Sequence, residues 1–63
     1  MWSNKSVRSK LEVGYTFILN GMHHTIDRVY SDKFHCRTQE SGSYYITYAY
    51  FQTTNHFRSR YLK

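Results

Sequence analysis

The chain has 63 residues, a formal net charge of +5 and a single cysteine, which allows one small domain and excludes a scaffold held together by internal disulfides. No window approaches the roughly 20 apolar residues of a membrane helix, and residues 2–10 lack the apolar segment of a signal peptide. We therefore expect a cytoplasmic protein whose core depends on its aromatic residues, which make up 19% of the chain.

The positive charge is concentrated at the two ends of the chain. Residues 1–10 contain three basic residues and no acid: Lys5, Arg8 and Lys10. Residues 57–63 also contain three basic residues and no acid: Arg58, Arg60 and Lys63. The middle of the chain carries three basic and four acidic residues, which leaves it with a net charge of −1. Basic ends on a nearly neutral body indicate a polyanionic partner held by the termini, with solubilising tails as the alternative.

Residues 1–10 are polar and basic and show no apolar periodicity. They predict a flexible N-terminal arm ahead of a single folded domain over residues 11–63. Trp2 is the exception within the arm. We expect its ring to pack against the domain, and binding to a partner is the alternative.

The first predicted strand runs from Leu11 to Leu19 and ends at the strongest turn signal in the chain. Its inward positions recur with a period of two: Leu11, Val13, Tyr15, Phe17 and Leu19. Ile18 is the one apolar residue out of phase, and the alternation predicts a half-buried antiparallel strand. The next two residues, Asn20-Gly21, predict a type I′ turn, because both tolerate the positive φ that this turn requires.

Three further strands follow in the predicted order: Met22 to about Tyr30, Lys33 to Gln39, and Tyr44 to Thr47 or Tyr48. In the second of the four strands Ile26 and Val29 are three residues apart and cannot both face inward, which predicts a bulge near Asp27-Arg28. Ser31-Asp32 and the cluster from Glu40 to Ser43 provide the remaining turns. Hairpins in series predict a four-stranded meander.

The sequence is compatible with two structures for the C-terminal segment. In the first, residues 48–52 form a single helical turn and His56 to Leu62 form a fifth strand. In the second, one amphipathic helix runs from about Tyr48 to Leu62. We favour the fifth strand, because the poor helix formers Thr53-Thr54-Asn55 would lie in the middle of the long helix.

The order of these elements resembles the small barrels of the Src-homology-3, Tudor and KOW kind. The resemblance is carried by four stretches: Val13 to Gly21, Ile26 to Phe34, Gly42 to Ile46, and Tyr50-Phe51. It implies an all-β fold, a small five-stranded Src-homology-3-like barrel built as a meander, with or without a short C-terminal helix. The small, basic, aromatic-rich chain is also similar in style to the early proteins that bacteriophages make to bind host factors.

The candidate metal ligands are the histidines and the cysteine: His23, His24, His35, Cys36 and His56. Adjacent residues on a strand point to opposite faces, so each neighbouring pair can offer one ligand to a common site. The spacing does not match a structural zinc pattern, and we predict no metal or other cofactor. Nothing brings a nucleophile, a base and an orienting group together, so we predict a protein that is not an enzyme, with a histidine-dependent nuclease as the alternative.

The predicted outer face mixes aromatic and basic side chains, which suits stacking on exposed bases while cations hold phosphates. Arg58 and Arg60, two residues apart on the predicted fifth strand, form a small basic comb. The leading hypothesis is a DNA- or RNA-binding protein, and the alternative is a modulator that covers a site on a cytosolic host protein or nucleic-acid-processing enzyme. The candidate contact residues are Lys5, Arg8, Lys10, His35, Arg37, Tyr45, Arg58 and Arg60.

Overall fold

Four antiparallel strands pair in chain order in the computed structural model, which describes residues 1–40 and 42–62. The strands are β1 (Thr16–Leu19), β2 (Met22–Val29), β3 (Lys33–Thr38) and β4 (Gly42–Thr47). Three short helices complete the described chain: α1 (Asn4–Arg8), α2 (Tyr48–Phe51) and α3 (Asn55–Tyr61). Ser41, in the predicted turn before the fourth strand, and Lys63, one of the basic C-terminal residues, lie outside the described residues.

The first hairpin has the turn that its sequence predicts. Asn20 and Gly21 have φ of 54° and 76°, so both central residues lie in the left-handed region. Leu19 pairs with Met22 directly across this turn. The predicted type I′ turn is therefore confirmed.

The predicted bulge in β2 is also confirmed. The register between β2 and β3 shifts between Ile26 and Arg28, which makes Asp27 an extra residue. Ile26 faces the core before the bulge, and Val29 packs against the core after it. Arg28 pairs with His35, so the shift turns Asp27 and Arg28 towards the opposite face of the sheet.

The core lies between one face of the sheet and the helices. The strands contribute five buried side chains to it: Phe17, Ile26, Phe34, Cys36 and Ile46. The helices add Val7 from α1, Tyr48 and Phe51 from α2, and Phe57 from α3. The ring of Phe51 joins the two layers, with its centroid 5.2 Å from that of Phe17 and 5.5 Å from that of Phe57. The helices therefore cover one face of the sheet and leave the other face exposed.

The C-terminal segment forms two short helices, so the predicted fifth strand over His56 to Leu62 is wrong. The single long helix from about Tyr48 is wrong as well. Thr47 and Thr54 explain the difference, since each side chain accepts a hydrogen bond from a backbone N–H three residues later, at 3.2 and 3.3 Å. Threonine is unfavourable inside a helix but favourable at its N-cap. None of the described helices is long and apolar enough to span a membrane.

The sheet is open, with β1 and β4 as its two edges. The β-rich meander is confirmed, but the described residues form four strands in an unclosed sheet and three short helices rather than the predicted five strands. The reason is that the residues expected to close the barrel form α3, which packs against β1 through side chains and adds no backbone pairing to the described sheet.

Within residues 1–10, which were predicted to form a flexible arm, Asn4–Arg8 form the capped helix α1, which packs into the core. The side chain of Ser3 accepts a hydrogen bond from the Ser6 N–H at 3.1 Å, which caps α1. Val7, in the next turn, is completely buried. Lys5 and Arg8 are therefore held on a packed helix and do not belong to a loose tail.

Trp2 packs the N-terminal segment against the C-terminal helices. Its ring meets that of Phe57 edge-on, with centroids 5.3 Å apart. The backbone N–H of Trp2 donates to Oε1 of Gln52 at 2.8 Å, and the backbone carbonyl of Trp2 accepts from Nε2 of Gln52 at 3.0 Å. The prediction that Trp2 packs against the domain is confirmed.

The first strand is shorter than predicted. β1 begins at Thr16, and the preceding segment turns at Gly14, which has φ of 97°. Val13, predicted to face inward, is 65% exposed. Leu11 is buried, but it reaches the core from the connection between α1 and β1 rather than from a strand.

Candidate functional site

The face of the sheet opposite the helices carries the candidate site, and we call it the open face. It presents the outward side chains of β1 to β4: Thr16, Ile18, His23, Thr25, Asp27, Arg28, Lys33, His35, Arg37, Ser43, Tyr45 and Thr47. Residues paired across neighbouring strands point to the same face, so the register defines this set. Ile18 and Tyr45 are 54% and 61% exposed, as large side chains are when no helix covers them.

Asp27, the bulge residue, holds two of its neighbours in place. Its Oδ1 accepts a hydrogen bond from Nδ1 of His35 at 2.6 Å, and its Oδ2 accepts one from Nε of Arg37 at 3.1 Å. The hydrogen bond from His35, together with the charge and hydrogen bond of Arg37, lowers the pKa of Asp27. The carboxylate is therefore ionised at neutral pH, and it keeps a proton on Nδ1 of His35.

Tyr45 presents the most exposed aromatic ring of the open face. The ring centroid of His35 lies 4.8 Å from that of Tyr45, and the centroid of Tyr30 lies 6.2 Å away. Nζ of Lys33 lies 5.3 Å from the Tyr45 centroid, within range of a cation–π interaction. These neighbours position the ring while much of its surface stays available for stacking with another flat ring.

The open face is positively charged. It carries three cations, Arg28, Lys33 and Arg37, and one acid, Asp27. The side chain of Arg37 is 73% exposed, and Asp27 contacts only its Nε. Within the described chain the two terminal nitrogens of Arg37 therefore remain available to an anion, and a guanidinium binds phosphate well.

Three of the predicted contact residues come together on the open face: His35, Arg37 and Tyr45. His35 pairs directly with Tyr45 across β3 and β4. The other predicted contact residues lie on the helices or beside them, away from the open face: Lys5, Arg8, Lys10, Arg58 and Arg60. The predicted set thus divides between two sides of the molecule.

The basic comb predicted for Arg58 and Arg60 is wrong, because both residues lie on α3. Helical positions two apart point roughly 200° apart around the axis, whereas on a strand they would be parallel. The guanidinium of Arg60 lies 5.4 Å from the ring centroid of Tyr15 and 5.8 Å from that of Tyr61. Hydrogen bonding to Tyr61 is the main cause of the raised pKa of Arg60. In the described part of the chain neither arginine forms an ion pair.

Sequence reasoning missed three residues of this face: Asp27, Arg28 and Lys33. Uninterrupted alternation puts Arg28 on the side of Ile26, where it would point into the core. The predicted bulge could have revealed Asp27 and Arg28, because one extra residue at Asp27 moves every later side chain of β2 to the opposite face of the sheet. Lys33 could have been found by alternation alone, because it is two residues before His35.

Tyr15, His56 and Cys36, whose pKa values are shifted by burial, lie outside the open face. The Tyr15 hydroxyl and Nε2 of His56 are hydrogen-bonded at 2.7 Å, and burial raises the pKa of Tyr15 and lowers that of His56. Both are therefore neutral near pH 7. Cys36 is completely buried, and burial raises the pKa of its thiol to about 11. The described residues contain no group of three or more histidines, cysteines or acids that could hold a metal ion.

No protein-family model, curated protein or solved structure matches this chain. The resemblance to small barrels of the Src-homology-3 kind stays a prediction.

Proposed function

We propose that the protein binds single-stranded nucleic acid on the open face of its sheet. The observation that carries this proposal is the exposed ring of Tyr45, which lies 5.3 Å from Nζ of Lys33 and on the same face as Arg28 and Arg37. An exposed ring stacks on an unpaired base, and neighbouring cations neutralise the phosphates on either side of that base. Stacking of this kind requires bases that are not paired in a duplex.

The bulge supports the proposal by placing charge where a phosphate backbone could pass. Without the register shift at Asp27, the side chain of Arg28 would point into the core. With the shift, Arg28 and His35 lie side by side on the open face. Asp27 neutralises part of this charge but also holds Arg37 in a fixed position, which lowers the entropy lost when an anion binds.

The basic residues of the helices have a different role in this proposal. Lys5, Arg8 and Arg58 are exposed on α1 and α3, the helices that pack against the face of the sheet opposite Tyr45. They raise the overall positive potential and so speed the approach of a polyanion. We expect them to contribute less to affinity than residues in direct contact with the nucleic acid, because salt in solution screens charges that do not touch it.

The test is the binding of a fluorescein-labelled single-stranded oligonucleotide of about 10 nucleotides, measured by anisotropy over a range of salt concentrations. Tyr45→Ala should weaken binding by about 1–3 kcal/mol, whereas the matched control Tyr45→Phe keeps the ring and should bind nearly as well as wild type. Arg37→Ala should reduce the slope of log K against log salt by about 0.7, and Arg58→Ala should change it much less.

The proposal would be abandoned if the wild-type protein bound neither DNA nor RNA strands at low salt. It would also fail if Tyr45→Ala bound as tightly as Tyr45→Phe. A preference for duplex over single strands would contradict the stacking mechanism.

A protein-binding function is the second candidate, as expected for a phage-type modulator of a host factor. It is favoured by three exposed aromatic residues on and beside the edge strand β4, Tyr44, Tyr45 and Tyr50, which are 42%, 61% and 51% exposed. Such rings commonly supply the central contacts of protein interfaces. Capture of a protein from lysate that survives nuclease treatment, and is lost in Tyr45→Ala, would favour this candidate over the first.

A further inference from the structure

A groove opens on the helical side of the sheet, where α2 leaves the end of the β1–β2 hairpin uncovered. Its volume is about 450 Å³, and its walls include Leu19, Met22, His24, Tyr44, Ile46 and Tyr50. The groove lies beside β4, which is an edge of the sheet. It is therefore open to solvent, and it reaches around the edge strand to Tyr45 and Thr47 of the open face, which also line it.

His24 forms the polar part of this groove. The residue is 5% exposed, and its Nδ1–H donates to the carbonyl of Met22 at 2.8 Å. One side of its ring stacks on buried Phe17, with centroids 5.4 Å apart and planes 15° apart. With the proton on Nδ1, Nε2 of the neutral ring is a hydrogen-bond acceptor.

Nε2 of His24 has no protein partner in the described residues. No buried side-chain nitrogen or oxygen in the same residues lacks a partner, so Nε2 is not sealed within the core. His24 lines the groove, which is the route by which solvent reaches this residue. A ligand that brings an N–H donor to Nε2 would replace that solvent without leaving a polar atom unsatisfied.

The remaining walls suit a flat ring. The Tyr44 ring lies 5.9 Å from that of His24, and about half of the surface of Tyr44 and of Tyr50 is exposed. Leu19 and Ile46 add aliphatic surface. Aromatic and aliphatic walls with one hydrogen-bond acceptor favour a planar, largely apolar ligand that carries an N–H group.

We propose that this groove binds one nucleobase, which contacts the rings of Tyr44 and Tyr50 and donates an N–H hydrogen bond to Nε2 of His24. This inference rests on the proposed function, because it assigns the groove to the same nucleic-acid strand. Tyr44 and Tyr45 are consecutive on an edge strand, so their rings lie on opposite sides of the sheet. A single strand stacked on Tyr45 can pass around the edge of β4 and place another of its bases in the groove.

The test uses uncharged nucleosides, because they lack phosphates and so do not depend on the cations of the open face. Titration of the ¹⁵N-labelled protein should shift the backbone amides of Leu19, Met22 and Ile46. It should also shift the ¹⁵N resonance of His24 Nε2, which becomes hydrogen-bonded. Tyr50→Ala should weaken this binding about fivefold or more, whereas Val13→Ala, which changes an exposed residue outside the groove, should not.

Two further comparisons separate a nucleobase site from a simple apolar groove. His24→Phe keeps a flat ring but removes Nε2, and it should also weaken nucleoside binding. Toluene, a ring without an N–H group, should perturb the same amides less than a nucleoside does. Should His24→Phe fail to fold, Tyr50→Ala and the toluene comparison still decide the matter.

The two proposals can fail separately. If nucleosides shift the groove amides but oligonucleotides do not bind, the proposed function is wrong and the groove is a nucleobase site on its own. If oligonucleotides bind through Tyr45 but nucleosides leave the groove amides unchanged and Tyr50→Ala retains wild-type affinity, the groove assignment is wrong. Equal shifts from toluene and nucleosides would also overturn it.

Discussion

Val7→Ala tests whether the N-terminal segment belongs to the folded core. Val7 is completely buried by packing of α1 against the rest of the core. A flexible arm would leave this side chain in solvent, and its truncation would then have almost no effect. In the structure, truncation removes two methyl groups from a packed interior and leaves a cavity.

The expected cost follows from the burial. Loss of two buried methyl groups costs about 1.6 kcal/mol in transfer free energy, and the cavity adds up to about 1 kcal/mol more. Alanine is a better helix former than valine, which returns about 0.5 kcal/mol. We therefore expect the free energy of unfolding to fall by about 2 kcal/mol. A domain of this size has a total stability of only about 3–9 kcal/mol, so Tm should fall by about 8–16 °C.

The matched control is Val13→Ala, because Val13 is the same residue type but is 65% exposed. It should change stability by less than about 0.5 kcal/mol. Urea unfolding of both variants can be followed by circular dichroism and by the fluorescence of Trp2, which packs against Phe57. If both substitutions cost the same within about 0.5 kcal/mol, or if the Trp2 transition precedes loss of the sheet, α1 does not belong to the core and our reasoning is wrong.

Two further predictions concern titratable groups. Burial raises the pKa of the Cys36 thiol to about 11, so a thiol reagent at pH 8 should react far more slowly with the native protein than with the urea-unfolded chain; equal rates would contradict the burial. The pKa of Asp27 is lowered from 3.8, so its carboxylate stabilises the fold above about pH 4 and this contribution is lost as the pH falls through the lowered value. Asp27→Asn should therefore be less stable than wild type at pH 6, and the difference should shrink towards pH 2 in matched urea titrations. A difference that stays constant over this range would show that the ion pairs do not stabilise the fold.

The elements that could be predicted from the sequence are those with local causes. The Asn20-Gly21 turn follows from the φ values that two residues can adopt, and the bulge follows from the spacing of Ile26 and Val29. Alternation alone identified His35, Arg37 and Tyr45 as a group on the outer face. Each of these predictions depends on residues close together in the chain or on the fixed period of a strand.

The helices could not be predicted in the same way. With four to seven residues each, they complete at most two turns, which is too short for a clear helical period and too short to be stable alone. Thr54 is the clearest example of a residue that the sequence leaves ambiguous. Threonine is unfavourable inside a helix but favourable at its N-cap, so Thr54 can indicate either the absence of a helix or the start of one. The directions of Arg58 and Arg60 depend on this choice, because the two side chains would be parallel on a strand but diverge on a helix.

The sequence by itself determined the order of the four paired strands, the Asn20-Gly21 turn, the bulge in β2 and the overall positive charge of this protein. Only the tertiary structure decided what covers the buried face of the sheet, because that depends on where Val7, Phe51 and Phe57 pack. Distant segments provide these side chains, and no local pattern links them. By covering the face that carries Phe17, they leave Tyr45 and the cations around it exposed to solvent.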